Sequence, residues 1–172
     1  MVIDADTHIS KVKFDDLSID ADELLRRMDK AGVDKAIVWL KPPYDRDVSR
    51  ENRYVFDSVK RHPDRLLGFG WTNPRLGLRV ALEEIKRCIE QYGFYGVKFN
   101  GAQDDYKIDQ AEVLALVGEV VNAGRMVAFH IGADACENTH PFRLANIASA
   151  YPQGTFLMIH MGGAALPPLS KA

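Results

Sequence analysis

Three histidines stand at positions in the sequence where they could bind a metal. His8, His130 and His160 each end a short apolar run that predicts a buried strand. Imidazole nitrogens are frequent ligands of zinc and other divalent metals. If the three strands are parallel neighbours in a barrel, their carboxyl ends meet at one rim. Together with a strand-end carboxylate, the histidines therefore predict a metal site in outline.

Further polar side chains lie in the first and fourth predicted strands, where alternation places them on one face of each strand. Side chains alternate between the two faces of a strand, so Asp4, Asp6 and His8 share one face of the first strand. Lys98 shares a face with Asn100 in the fourth strand, which predicts that Lys98 points into the barrel interior. An unpaired buried ammonium is costly. We therefore expect Lys98 to be paired or to bind a substrate carboxylate.

The elements that must position these residues alternate strictly between strand and helix. Hydrophobic periodicity, caps and breakers predict six strands at 2–9, 35–40, 66–72, 95–100, 125–131 and 155–161. They predict five helices at 18–31, 49–60, 78–91, 109–123 and 141–150. Ser18 is the expected N-cap of the first helix, and a break at Pro42-Pro43 is expected after the second strand. Trp71, at the end of the third strand, is expected to pack under a helix.

This alternation predicts an α/β protein with a parallel sheet covered by helices. A doubly wound open sheet and a (β/α) TIM-type barrel compete. The spread of polar ends over strands one, four, five and six favours the barrel, and no Gly-x-Gly-x-x-Gly follows the first strand. A full barrel needs about 250 residues, so residues 1–172 are expected to form a single, incomplete barrel domain. Its exposed strand edges predict a homo-oligomer or a missing C-terminal segment.

Composition excludes several other function classes. The net charge of −2 gives no basic surface for nucleic acid or an anionic membrane. Cys88 and Cys136 lack metal-type spacing, so we expect free thiols in a reducing compartment. No signal segment and no apolar run of about 20 residues is present. The sequence therefore predicts a soluble, cytoplasmic protein that acts on a small molecule.

Six short motifs, in order, resemble the amidohydrolase-related family, the amidohydrolase 2 branch of the metal-dependent amidohydrolase superfamily. They are Ile-Asp-Ala-Asp-Thr-His at 3–8, Glu-Leu-Leu through Asp-Lys-Ala at 23–36, His-Pro-Asp-Arg through Gly-Phe at 62–69, Gly-Val-Lys-Phe at 96–99, Ala-Phe-His-Ile-Gly at 128–132 and Ile-His-Met-Gly-Gly at 159–163. The resemblance implies a TIM barrel with a divalent metal, usually zinc, at its carboxyl rim.

The resemblance also assigns metal ligands. The family's first strand commonly supplies a His-x-His pair, and the matching positions here are Asp6 and His8. Carboxylate oxygen can still bind zinc or a harder ion such as manganese. His130 and His160 match the histidines that end strands five and six. The implied ligands are therefore Asp6, His8, His130 and His160, with zinc expected and manganese as the alternative.

The same resemblance guides the expected chemistry. The family's strand-eight aspartate has no counterpart in this sequence, which leaves His160 and the loop acid Asp134 as catalytic candidates, with Asp104 as another substitute. Lys98, Asn100 and Arg143 are candidates for binding substrate. The alternatives are a metal-bridging carbamate for Lys98, as in other branches of the superfamily, and surface charge for Arg143. His62 and His140 are expected to be structural, in a turn and at a helix start.

Three functions follow from these assignments. The first is a metal-dependent hydrolase that uses a metal-activated water on a small carboxylated organic molecule. The alternatives are a metal-dependent, non-oxidative decarboxylase on the same scaffold, and a catalytically inactive partial barrel.

Overall fold

Six parallel strands and seven helices make up the part of the chain that the structure, a computed structural model, describes: residues 1–13, 15–41 and 48–162. The strands are β1 (Ile3–Ile9), β2 (Lys35–Leu40), β3 (Leu66–Trp71), β4 (Gly96–Phe99), β5 (Met126–His130) and β6 (Phe156–Ile159). The helices are α1 (Ala21–Ala31), α2 (Ser49–Arg61), α3 (Leu78–Lys86), α4 (Gly101–Asp104), α5 (Ala111–Asn122), α6 (Cys136–Thr139) and α7 (Pro141–Ala150).

The strand order distinguishes between the two predicted architectures. The strands lie side by side in chain order, β1 to β6, and every neighbouring pair is parallel. A doubly wound sheet reverses its strand order at a switch point, whereas a barrel does not. The sheet is therefore a curled part of a TIM-type barrel, as the alternation of elements predicted.

Two apolar clusters hold the helices against the sheet. One joins α1 and α2 to β1, β2 and β3, and the other joins α3, α5 and α7 to β4 and β5. Gly96 allows a close approach between strands, because a Cβ there would collide with the carbonyl oxygen of Met126 and the ring of Phe69. Cys88 and Cys136 are free thiols, as expected.

Several predicted boundaries need correction. Asp20, rather than Ser18, caps α1, because its side chain accepts a hydrogen bond from the Glu23 N–H, while Gly32 ends the helix at φ 68° as expected. The third predicted helix ends at Lys86 and continues as a π-turn over Arg87–Gln91. The four-residue helices α4 and α6 are too short for periodicity to reveal. The expected break at Pro42-Pro43 lies outside the described residues.

No helix in the described ranges combines the length and apolarity needed to cross a bilayer.

Candidate active site

Lys98 lies at the centre of the cluster formed at the carboxyl ends of the strands. Its side chain is 1% exposed, and its Nζ lies 3.2 Å from Asp6 Oδ1 and 3.3 Å from His8 Nε2. The ammonium also lies 3.7 Å from the centre of the Trp39 ring, a cation–π contact. Burial lowers the pKa of Lys98 to about 8, although the Asp6 carboxylate opposes this shift. Lys98 is thus buried and paired, on the face that strand alternation predicted.

His8 is held in one tautomer by its neighbours. Its Nδ1 lies 2.7 Å from the carbonyl oxygen of Leu40, and its Nε2 accepts a hydrogen bond from Trp39 Nε1 at 3.0 Å. An indole N–H can only donate and a carbonyl can only accept, so the ring is neutral with its proton on Nδ1. Burial, and secondly Lys98, lower the pKa of His8 to about 4. His8 contacts Trp39 because the parallel register of β1 and β2 pairs these two residues.

The Asp6 carboxylate lies between His8 of β1 and His160, which follows β6. Its Oδ1 lies 3.7 Å from His8 Nε2, and its Oδ2 lies 3.8 Å from Nδ1 of His160. Both separations exceed hydrogen-bond distance. The register of β1 shifts between Asp4 and Thr7, which is where Asp6 leaves the regular ladder. The carboxylate therefore lies between two imidazole nitrogens and beside one ammonium.

His130 and His160 form the second half of the cluster. Their rings meet edge to face with centroids 4.7 Å apart. His130 Nε2 lies 3.2 Å from Asp134 Oδ1, and burial lowers the pKa of His130, partly opposed by this carboxylate. His160 adopts φ 60° directly after β6 ends, and its side chain is 49% exposed. Because His160 lies beyond the end of β6, strand alternation does not set the direction of its side chain.

The cluster contains the donor types of a divalent metal site. One carboxylate and three imidazoles are a set that zinc or manganese accepts. Within the described residues, however, no three His, Cys, Asp or Glu side chains are close enough to hold an ion as they stand. The hydrogen bonds explain this, since Nε2 of His8 contacts Trp39 and Lys98 while Nε2 of His130 contacts Asp134. The residues fit a metal in kind, and binding one requires these nitrogens to exchange protein partners for it.

Trp71 is fully buried in the core against the helices, as expected, and its ring also faces His8 and Lys98. Its ring centroid lies 6.0 Å from that of His8 and 5.4 Å from Lys98 Nζ. Its Nε1 donates to Asp104 Oδ2 at 3.3 Å, and Asp104, which was expected in a loop, is the buried last residue of α4. Asn52 of α2 fixes this strand end through hydrogen bonds to both the N–H and the C=O of Trp71.

Sequence reasoning missed both tryptophans as site residues. Trp39 lies within an apolar strand that reads as core, and only its register with His8 reveals the contact. For Trp71 the sequence did contain a signal. Trp71 shares a strand face with Phe69 and is the last residue of its strand, the same position at which the histidines were predicted to form the site.

Other predicted site residues have partners away from the histidines. Asn100 caps α4, where its Oδ1 accepts from the N–H groups of residues 102 and 103. The Arg143 guanidinium donates to Asp109 Oδ1 at 2.7 Å and to the Glu137 carbonyl at 2.6 Å. His140 caps α7, as its position before a proline suggested. These contacts anchor both side chains within the described part of the chain, and the substrate-binding roles of Asn100 and Arg143 stay predictions.

Comparison with known proteins gives consistent similarities. A protein-family model described as amidohydrolase matches residues 3–172. The gamma-resorcylate decarboxylase of Polaromonas sp. (strain JS666 / ATCC BAA-500) is 28% identical over 94 residues, which are 49% of this chain and 28% of that protein.

Solved structures share the fold. The 2,6-dihydroxybenzoate decarboxylase from Rhizobium superposes with a TM-score of 0.72 at 20% identity, over 94% of this chain and 66% of that one. The dihydroxybenzoic acid decarboxylase from Polaromonas sp. JS666, with bound manganese and the inhibitor 2-nitroresorcinol, gives 0.70 at 22% identity, over 94% and 65%. The chain thus covers just under two-thirds of the length of these structures.

Proposed function

Because this chain belongs to the amidohydrolase family, we propose that it supplies part of the active site of a metal-dependent decarboxylase acting on a carboxylated aromatic compound. Two of the similar solved proteins are decarboxylases of dihydroxybenzoic acids, and one of these holds manganese. The relative from Polaromonas is a decarboxylase as well. These similarities favour decarboxylation over hydrolysis, which the sequence had placed first, and they make manganese at least as good a candidate as zinc.

One observation in the structure carries the proposal. A carboxylate, three imidazoles and a buried ammonium converge at the carboxyl ends of strands that lie far apart in sequence, β1, β4, β5 and β6. Catalytic sites of (β/α) barrels are built at this rim. The buried rings of Trp39 and Trp71 pack against Lys98 and His8, so a substrate at this rim would meet a positive charge held in a largely apolar surrounding.

Each residue then has a defined task. Asp6, His8, His130 and His160 would hold a divalent metal, which supplies a Lewis-acidic centre for the oxygen atoms of the substrate. Lys98 contributes a buried positive charge beside Asp6 and His8 that would favour an anionic substrate over a neutral one. The bond between the ring carbon and the carboxylate breaks, carbon dioxide leaves, and the electron pair stays on the ring carbon, where a proton replaces it.

The proton must come from a group that can be reloaded from water. Asp134 and His160 are the candidates, because their side chains are 60% and 49% exposed while both lie next to His130. His160 can take this role only when it is not a metal ligand, because an imidazole bound to the metal has no lone pair with which to accept a proton. A partly exposed imidazole can deliver a proton and regain one near neutral pH. Asp104 is buried behind Trp71 and is a poorer choice for this role.

The proposal is tested with the purified chain, MnCl2 and 2,6-dihydroxybenzoate, by measuring carbon dioxide release. A panel of small esters, lactones and amides serves as the hydrolysis arm. Release of carbon dioxide that requires manganese and is lost in His160→Asn, whose circular dichroism matches the wild type, is the expected result. Hydrolysis without decarboxylation would overturn it in favour of the first sequence-based function. Metal-loaded protein that turns over neither class would favour the inactive partial barrel.

A further inference from the structure

We propose that Lys98 and Trp39 together act as an internal occupant of the metal position, so that a divalent metal must displace them before it can be bound. This inference rests on the proposed metal site at Asp6, His8, His130 and His160. It goes further because it assigns to two residues outside the ligand set a control over metal affinity.

The ammonium of Lys98 already makes the contacts that a metal would need. It is a cation within 3.3 Å of one oxygen of Asp6 and of the Nε2 lone pair of His8. Its side chain extends from β4 and is fully buried, whereas the side chain of His160 is half exposed. A second cation at the same two donors would meet strong like-charge repulsion, because screening by water is weak there.

Trp39 closes the remaining access to His8. The indole N–H donates to His8 Nε2 at 3.0 Å, while the other ring nitrogen is held by the Leu40 carbonyl. The only lone pair with which neutral His8 can bind a metal is therefore used inside the protein. Trp39 is itself buried and packs edge-on against Phe69, so its N–H is fixed in this direction.

The contacts of Lys98 and Trp39 with Asp6 and His8 explain why side chains of the types that bind metals are not arranged to hold an ion. Asp6 lies close to two imidazole nitrogens, at 3.7 and 3.8 Å, without a hydrogen bond to either. What the cluster lacks is a free lone pair on His8 and room for a second positive charge. Removing either occupant should therefore raise metal affinity rather than lower it, the opposite of what a positioning role would give.

The test is calorimetric titration of the purified chain with MnCl2, with free Mn²⁺ followed independently by electron paramagnetic resonance. The variants are Lys98→Met, which removes charge and donor, Lys98→Gln, which removes charge but keeps a donor, and Trp39→Phe, which removes the indole N–H but keeps an aromatic ring. Lys107→Met, at an exposed position, is the matched control for loss of one positive charge. Asp6→Asn removes a proposed ligand and should bind more weakly.

We expect Kd for manganese to fall ~10-fold or more in both Lys98 variants and ~3-fold or more in Trp39→Phe, with no change in Lys107→Met. Circular dichroism establishes that each variant is folded, and Lys98→Gln and Trp39→Phe carry the test if Lys98→Met is not. An unchanged or raised Kd in the folded variants, with wild type binding manganese, overturns the inference and leaves the proposed metal site intact. Absence of binding in wild type and every folded variant overturns the metal site as well.

Discussion

Replacing Lys98 with methionine should stabilise the fold at neutral pH. The side chain is 1% exposed, and burial lowers its pKa from 10.5 to about 8 even with Asp6 beside it. A shift of one pKa unit corresponds to ~1.4 kcal/mol, so the ammonium costs the folded state about 3 kcal/mol at pH 7. Methionine fills much of the same volume without charge. Asp6 is partly exposed, so water can solvate the carboxylate that loses its partner. We expect a net gain of about 2–3 kcal/mol in the free energy of unfolding.

The same shift fixes the sign of the pH dependence. The unfolded chain keeps the Lys98 proton up to about pH 10.5, whereas the folded chain releases it near pH 8. Between these values the unfolded state binds more protons, so the contribution of Lys98 to stability rises with pH and is lost as pH falls through 8. Lys98→Met lacks this contribution. The difference in stability between variant and wild type should therefore shrink from pH 8 to pH 10.

Urea unfolding followed by circular dichroism at pH 7, 8, 9 and 10 measures both effects. Lys107→Met is the control, because it removes an exposed lysine. Any pH dependence that arises from the other titratable groups appears in this variant as well. A Lys98→Met variant less stable than wild type at pH 7 would refute the reasoning, as would a difference that does not vary with pH. Either result would mean that pairing with Asp6 outweighs the cost of burying the ammonium.

Three further predictions concern groups around the site. Stability should decline as pH falls from 6.5 towards 4, because the folded state binds the His8 proton only near pH 4; His8→Gln should flatten this slope in acid unfolding curves. Asn52→Ala should cost about 2–4 kcal/mol in urea unfolding, since it leaves both main-chain groups of Trp71 buried without their partner, and an unchanged midpoint would contradict this. Gly96→Ala should cost about 2–4 kcal/mol through collision with the Met126 carbonyl, and soluble, equally stable protein would show that the strands can separate there.

Periodicity made the architecture predictable. The apolar strands and amphipathic helices specify a parallel α/β sheet, and the predicted bounds of β2 and α7 agree with the structure. The predicted start of α1 was wrong because two residues, Ser18 and Asp20, could each cap the helix. Either side chain can accept a hydrogen bond from a helix N–H, and only tertiary packing selects one of them. Helix α4 depends on the Asn100 cap and is too short to bury a periodic face.

The site was predictable only as a set of strand ends. Strand alternation predicted that Lys98 points into the barrel interior, and its ammonium meets Asp6 and His8 there. It could not place Trp39, whose contact with His8 depends on the register between two strands. Nor could it foresee that the ammonium and the indole N–H meet the same imidazole nitrogen. Residue types reveal which donors exist, whereas hydrogen-bond partners decide which of their lone pairs are free.

The side chains of the cluster differ in how far they are exposed. Lys98 and Trp39 are buried, whereas Asp6 and His160, on the outermost strands, have side chains 29% and 49% exposed. Within the described residues β1 pairs only with β2 and β6 only with β5, so each has one unpaired edge. A segment or second copy that pairs with these edges would bury Asp6 and His160 and strengthen every charge interaction between them. The same surrounding strengthens the contact of Lys98 with Asp6, so the internal cation and a metal ion would both gain from association.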